Sequence, residues 1–363
     1  MKRSCNICHA DFEIQFRYQT EVRSVEGADR LVFFCSQACL GKSASGSVRC
    51  DACSREFVLE LAAQLLYQGP ERRYACSDLC RASLGKSARR PLPAPTTQGA
   101  ARVLAVFNHK GGTGKTTTAV SVAAGLAARG ARVLLADTDG QGNVGASLAL
   151  SYERSLYHVL VMGLPIEDAV VQARPGLDVL PANETLAAAE LYLTGRRQRD
   201  RVLAERLAPA RQRYDFIIVD CSPSLSLMNQ NALAFADSVL CPVACDYLSL
   251  IGVRQVLRTL RQVNKLLGHS VELWGVLPTL FDARARICHE ALATLREHFG
   301  ARCLPPVRMA SKVKEAPAEG KTLFEYAPGS SAACDYDHVV NKLLETAVHD
   351  APIREPSSLG GVA

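Results

Sequence analysis

Long apolar runs are missing from this 363-residue chain. No stretch of about 18 apolar residues occurs, so the pattern excludes a membrane-spanning helix. The first residues, Met1-Lys2-Arg3-Ser4-Cys5, lack the apolar core of a secretory signal, and a cytoplasmic location is expected. Aromatic residues are scarce, at 6% with one tryptophan, Trp274. Strong charge of either sign is missing too. The formal net charge is +6, so any contact with DNA has to come from a local basic patch rather than from bulk charge. Charged residues at 21% and apolar residues at 48% exclude general disorder and leave enough for a sizeable core. The length predicts two to three folding units.

Cysteine is abundant: there are 14, eight of them before residue 81. In a reducing compartment such clustering points to metal ligands rather than disulfides. The eight fall into an internal repeat. Cys5-x2-Cys8 is followed by Phe34-Cys35-Ser36-Gln37-Ala38-Cys39, and Cys50-x2-Cys53 by Ala75-Cys76-Ser77-Asp78-Leu79-Cys80. Leu-Gly-Lys-Ser-Ala recurs after each copy, at 40–44 and 84–88. Duplicated modules are predicted, 1–44 and 45–88. Four thiolates per copy complete a tetrahedral zinc site, giving two Zn²⁺ ions. Ser36 and Ser77 are expected to cap a short helix carrying the second ligand pair, and metal binding supplies much of the folding free energy of so small a module. With four cysteines in place, His9 is expected to stay exposed. Residues 1–100 hold fourteen basic and ten acidic side chains, an excess that two zinc centres of four thiolates each cancel. That favours contacts with protein over DNA. A purely structural zinc stub, a docking surface and a metal sensor all fit the pattern.

A Pro-rich linker is read at 89–101, then an α/β domain at 102–350 and a short tail at 351–363. The domain opens with an apolar strand, Val103–Phe107, then Lys110-Gly111-Gly112-Thr113-Gly114-Lys115-Thr116-Thr117, then helical periodicity from Ala119 to Arg129. Strand, glycine loop and helix in that order make a phosphate cradle. Lys115 is expected at the β- and γ-phosphates and Thr116 on Mg²⁺. His109 stands where such loops usually have their first glycine.

The form K-G-G-x-G-K-T-T resembles the deviant Walker A motif of the ParA/MinD (Soj-like) ATPases. Asp137-Thr138-Asp139-Gly140-Gln141-Gly142-Asn143 is similar to the family's D-x-D-P-Q-G-N, with Gly140 for proline. Ile217-Ile218-Val219-Asp220-Cys221-Ser222-Pro223 is similar to its Walker B strand, with Ser222 for a proline. Lys314-Glu315-Ala316-Pro317 and Gly320-Lys321-Thr322 resemble its segment near the nucleotide base. The resemblance covers nearly all of 102–347. It implies a mostly parallel P-loop sheet with helices on both faces, slow ATP hydrolysis with ATP and Mg²⁺, and an ATP-dependent homodimer in which Lys110 reaches the partner's nucleotide. Asp139 then positions the attacking water, Asp137 supports the magnesium site and Asp220 lies near it. Family members of the ParA type bind DNA nonspecifically, respond to a ParB-like stimulating partner and associate with the nucleoid.

Arg254, Arg258, Arg261 and Lys265 on one helix, with Lys312, are the candidate phosphate contacts, the first three sharing a face by their spacing. A solvated charged face is the alternative. MinD-like members use a C-terminal amphipathic helix at membranes, whereas the tail here carries Pro352 and Pro356 and no continuous apolar face. A metal-handling or protein-docking NTPase is a further reading. Cys241 and Cys245 are read as packing residues despite their spacing, and Cys221, Cys288, Cys303 and Cys334 lack ligand spacing. The N-terminal region resembles TRASH/MYM-type treble-clef fingers, whose second ligand pair reads (F/Y)-C-S-x-x-C.

Overall fold

The computed structural model describes residues 2–14, 19–25, 28–36, 39, 47–58, 64–68, 71–77, 80, 100–224, 226–268 and 270–349. Most of the expected linker, both Leu-Gly-Lys-Ser-Ala segments and the tail at 351–363 lie outside the described residues. The chain divides into two compact units, residues 1–89 with 161–168, and residues 90–160 with 169–363.

In the first unit the repeat is visible as two pairs of hairpins. Strands β1 (Lys2–Ser4) and β2 (Asp11–Glu13) pair antiparallel around the first Cys-x2-Cys, and β3 (Thr20–Val25) pairs with β4 (Ala28–Phe33). The second copy repeats this with β5 (Ser47–Arg49), β6 (Glu56–Val58), β7 (Leu65–Gln68) and β8 (Glu71–Tyr74). The residue after each knuckle takes a left-handed backbone, His9 at φ 59 and Ser54 at φ 61. Its N–H closes the turn on the carbonyl of Cys5 or Cys50, at 2.9 and 2.8 Å. Asn6 and Asp51, inside the knuckles, each exchange two bonds with the second hairpin. Phe33 N–H donates to Asn6 Oδ1 at 2.7 Å and Asn6 N–H to the Phe33 carbonyl at 2.8 Å. Tyr74 N–H donates to Asp51 Oδ2 at 2.6 Å and Asp51 N–H to the Tyr74 carbonyl at 2.8 Å. Cys5, Phe34, Cys39 and Leu65 form a small apolar cluster joined by Tyr74, so side chains from both copies share it.

The second unit is built on a seven-stranded sheet in the order β11-β12-β10-β13-β9-β14-β15. Its strands are β9 (Arg102–Val106), β10 (Val133–Asp137), β11 (Val171–Arg174), β12 (Leu177–Leu180), β13 (Phe216–Asp220), β14 (Ser238–Ala244) and β15 (Glu272–Thr279). All pairs are parallel except β11 on β12. The inner strands read as unbroken apolar runs because both faces are covered: Val133 to Asp137 and Ile217 to Asp220 are buried throughout. Helix α1 (Lys115–Ala128) covers one face together with α11 (Ser331–His349). Gly125 permits the approach, since a Cβ there would lie 2.6 Å from Val340 Cγ2. The helices numbered between them are α2 (Asn143–Ser147), α3 (Leu156–Leu160), α4 (Leu186–Thr194), α5 (Val202–Arg211), α6 (Leu227–Phe235), α7 (Ser249–Leu267), α8 (Arg286–Phe299), α9 (Lys312–Ala318) and α10 (Leu323–Tyr326). Helices α5, α6, α7 and α8 pack side by side in that order, as right-handed crossovers leading rightward across the sheet require.

This is the expected fold class, a P-loop-type parallel sheet accompanied by two small four-cysteine modules. The first helix starts at Lys115, four residues before the expected start, because its first turn is Lys-Thr-Thr-Thr and carries no apolar periodicity.

Candidate functional site

The loop from Asn108 to Gly114 joins β9 to α1 at the carboxyl ends of the strands, where open α/β sheets bind ligands. Gly112 and Gly114 have φ of 72 and 80, values that side chains resist. Gly111 and Gly112 are exposed, so their backbone can face a phosphate directly. Lys115 is the first residue of α1. Its side chain is buried, with Nζ donating to the Lys110 carbonyl at 2.9 Å. Burial pushes its pKa down, while Asp220 pulls it back.

Three supports hold this loop. Asn108 donates through Nδ2 to the Pro242 carbonyl at 2.8 Å and accepts from Lys110 N–H through Oδ1 at 3.0 Å. Thr279, at the end of β15, donates to the Thr113 carbonyl at 2.9 Å. His109, in the place of a glycine, turns its ring away to Thr259 on α7 at 2.8 Å. No local pattern in the sequence marked Thr279, and the only signal for Asn108 was its position just before the loop.

Asp137 and Asp220 end adjacent strands and are direct register partners. Both are fully buried. Asp137 accepts from the N–H groups of Asp139 at 3.0 Å and Val144 at 3.3 Å. Neither oxygen of Asp220 has a hydrogen-bond partner of good geometry, the Thr116 hydroxyl beside it being its one weak donor. Burial pushes Asp220 up to about 7, Thr116 pulls it down, Asp139 adds to the push and Lys115 opposes it. Burial, then the Asp220 charge, also raises Asp137 well above the carboxylate range. Two buried carboxylates side by side, one with only a weak donor, are costly unless a cation joins them. With the Thr116 hydroxyl at the same edge, this donor set fits Mg²⁺.

A carboxyl whose pKa is raised by folding destabilises the native state once pH passes the ordinary carboxyl value, increasingly up to the raised one. Asp220→Asn is therefore expected to raise the Tm of the nucleotide-free protein at pH 8 by roughly 5 °C. The gain should narrow as pH falls toward 4, and calorimetry across that range checks it.

Asp139 follows on a turn. Its Oδ1 accepts from Gln141 N–H at 3.0 Å, and Gly142 N–H donates to its carbonyl at 3.0 Å. Gly142, at φ 65, cannot take a side chain because a Cβ would lie 2.7 Å from the Ala182 carbonyl. Gly320 packs against Ala149 just past α2, with space for no Cβ, and α9 packs on α2. Lys110 is ion-paired with Asp246, whose Oδ1 accepts from Leu248 N–H at 3.0 Å in the turn ahead of α7. Cys241 and Cys245 are buried, as are Cys221 and Cys288, and among the described residues none of these joins a metal-ligand group.

On α7 the residues Val253, Val256, Leu260 and Val263 are buried, while Arg254, Arg258, Arg261 and Lys265 are exposed. Arg254 reaches His298 on α8 at 3.4 Å. The structure does not bring Lys312 to this group: it heads α9 in the layer of α1, paired with Glu315 at 2.7 Å and stacked over Tyr326.

In the first unit, Cys5, Cys8, Cys35 and Cys39 hold their sulfurs within 4.8 Å of one another, as do Cys50, Cys53, Cys76 and Cys80. The Cys8–Cys35 and Cys35–Cys39 separations are 3.3 and 3.6 Å, and the Cys53–Cys76 and Cys76–Cys80 separations 3.5 and 3.7 Å. Four sulfurs about 2.3 Å from one zinc ion stand about 3.8 Å apart, so both sets fit tetrahedral zinc. The crowded sulfurs push Cys35 and Cys76 up to about 12, Cys8 and Cys53 contributing most. For Cys5 and Cys50 burial opposes ionisation, but backbone N–H donors bring both down to about 6. A dication relieves that crowding. Ser36 and Ser77 accept from Cys39 and Cys80 N–H at 3.3 and 3.2 Å, in the expected capping pattern. His9 is exposed and belongs to neither cluster.

Residues 101–273 match the family model described as an AAA domain. The chromosome partitioning protein ParA of Caulobacter vibrioides is 38% identical over 232 residues, 62% of this chain and 87% of that protein. The sporulation initiation inhibitor protein Soj of Bacillus subtilis is 38% identical over 237 residues, 64% of this chain and 94% of that protein. The chain belongs to the ParA family. A solved structure from Mycobacterium smegmatis, described as a cobyrinic acid a,c-diamide synthase with bound ATP analogue and magnesium, superposes with a TM-score of 0.59 at 34% identity. It covers 68% of this chain and 95% of that one. The ParA-type motif positions Lys110, Lys115, Asp137, Asp139 and Asp220 thus lie together on one edge of the sheet. No helix among the described residues is long and apolar enough to cross a membrane.

Proposed function

We propose that this ParA-family protein is an ATP hydrolase working as a dimerisation switch that positions DNA or other cargo. The observation that carries the reading is the edge where Lys115 and Thr116 stand over the buried Asp220 carboxylate beside Asp137. Gly111, Gly112, Thr113, Gly114 and Thr117 complete the phosphate cradle, Thr116 would hold Mg²⁺ with Asp220 near it and Asp137 in support, and Asp139 orients water. Lys110, at the outer side of the loop and paired with Asp246, exchanges that partner for the nucleotide of a second subunit when ATP brings two copies together. A ParB-like protein accelerates hydrolysis and releases the pair, and the nucleoid is the expected location. The zinc modules, whose charge balances to about zero on metal binding, dock protein rather than DNA.

The exposed cationic side of α7 supports binding of the ATP dimer to DNA phosphates. Binding to random-sequence duplex DNA is measured with ATP, ADP or no nucleotide across a salt series. It is expected with ATP alone and should weaken steeply as salt rises. Binding that ignores nucleotide, or no binding in any state, overturns the DNA part of the reading and leaves a protein-docking NTPase.

A further inference from the structure

Between α4 and α5 lies a turn whose composition differs from the rest of the chain. Residues 195–201 read Gly-Arg-Arg-Gln-Arg-Asp-Arg. Arg196, Arg197, Arg199 and Arg201 are all exposed, against the single acid Asp200. Gln198 holds a left-handed backbone at φ 56, and Arg201 N–H closes on its carbonyl at 3.0 Å. Arg196 stacks on Tyr192 at 5.7 Å, and Arg199 donates to the Thr194 carbonyl at 3.0 Å. The turn is therefore folded, with its guanidinium groups on the outside.

The turn is also anchored. Asn231 on α6 is completely buried. Its Nδ2 donates to the Arg199 carbonyl at 2.8 Å, and its Oδ1 accepts from Leu203 N–H at 3.0 Å. Two residues earlier on the same helix, Asn229 donates to the Ser222 carbonyl at 2.8 Å and to the Ser224 carbonyl. Ser222 and Ser224 belong to the loop that follows Asp220. One short helix thus holds the loop beside the magnesium-side carboxylate with one asparagine and the arginine turn with another. A shift of that loop on nucleotide exchange would reach the turn through this helix.

Helices α5, α6 and α7 pack side by side, at about 10 Å between neighbours. The arginine turn leads into α5, and Arg258 and Arg261 project from α7, so two cationic clusters occupy one helical layer about 20 Å apart. A short acidic peptide saturates one cluster. An extended polyanion with a charge every ~1.7 Å along its axis spans both, and the guanidinium fork matches phosphate.

We propose that the 195–201 turn is a second contact for the phosphates of duplex DNA, coupled through α6 to the state of the nucleotide site. This rests on the DNA reading above. The test is the Arg197→Gln/Arg199→Gln variant of the full chain beside the parent, Arg197→Lys/Arg199→Lys and Arg258→Gln/Arg261→Gln. Binding of random-sequence duplex with ATP is followed over a potassium chloride series, with poly-L-glutamate as a second probe. Basal ATP turnover and Tm of the two turn variants serve as controls, and both should match the parent.

The glutamine pair at the turn is expected to weaken duplex binding about tenfold. It should also flatten the log–log salt slope by roughly 1.8, one phosphate contact per arginine. The lysine pair should keep most of the slope, and the α7 pair should lose a similar amount. If the α7 pair loses binding while the turn pair binds like the parent, the turn is not a contact, although the DNA reading stands. If the parent binds no duplex, both fail together. If poly-L-glutamate binds as tightly as duplex and its binding is the one the turn variant loses, the turn serves an acidic protein and the proposal is overturned.

Discussion

Asp139→Ala is expected to leave ATP binding intact and to reduce turnover at least 100-fold, the usual contribution of a group that positions or activates the attacking water. The geometry explains why the effect should fall on rate. Asp139 is only half-buried, and its side chain caps its own turn through Gln141 N–H. It is not one of the supports of the glycine loop. The trapped ATP state should persist and keep binding DNA. Lys115→Gln should behave in the opposite way. The ammonium is a buried cation at this edge, facing Asp220 and Asp139. Its loss leaves the carboxylates uncompensated and removes the charge proposed to receive the β- and γ-phosphates. ATP binding, turnover and ATP-dependent DNA binding should disappear together. Equilibrium binding of a fluorescent ATP analogue and single-turnover hydrolysis separate the two variants. Equal loss of binding in both would remove Asp139 from the role of water-positioning residue.

Zinc removal should have the second large effect, confined to the other unit. The folded protein is expected to carry two zinc ions per chain, one for each cysteine set. Cys5→Ser or Cys50→Ser should leave one. A strong chelator should unfold both modules, because binding energy on the order of 10 kcal/mol is folding energy for a structure with so small an apolar cluster. Amide exchange gives the readout: the Asn6, Phe33, Asp51 and Tyr74 N–H groups that lock the knuckles should lose protection at once. ATP turnover should continue. Turnover that collapses with the zinc would instead make the modules part of the hydrolytic unit.

The glycine loop, the strand-end aspartates and the two cysteine sets were legible in the sequence because each is written in a short local pattern. Gly112 and Gly114 need left-handed φ, and Cys-x2-Cys is one turn of chain. What the sequence hid is contact between distant segments. Thr279 donates to Thr113 from 166 residues away and Asp246 pairs with Lys110 across 136, and no local spacing encodes either. The first turn of α1 was missed because Lys115, Thr116, Thr117 and Thr118 show no apolar period. Their place in the helix follows from the loop before them. The arginine turn at 195–201 escaped for a related reason: it has neither helical nor strand period, and its meaning comes from Asn231. Lys312 was grouped with the α7 arginines by charge alone, whereas the fold puts it in another layer.

The two margins of the sheet carry a consequence for how copies of this protein can associate. On one side β11 is four residues long, runs against its neighbour and has a register irregularity at Gln172–Arg174. On the other, β15 is bridged in parallel at Val276–Cys303, and the chain just beyond it at Phe281–Arg308. A short, kinked border strand is a poor template for a foreign chain, and a bordered one offers none. Adding a foreign strand edge to edge, a route by which β-rich proteins aggregate, is disfavoured at both margins of this sheet. Self-association is thereby left to surfaces whose occupancy a bound nucleotide can reverse. The proposed dimerisation switch needs that separation between assembling and aggregating.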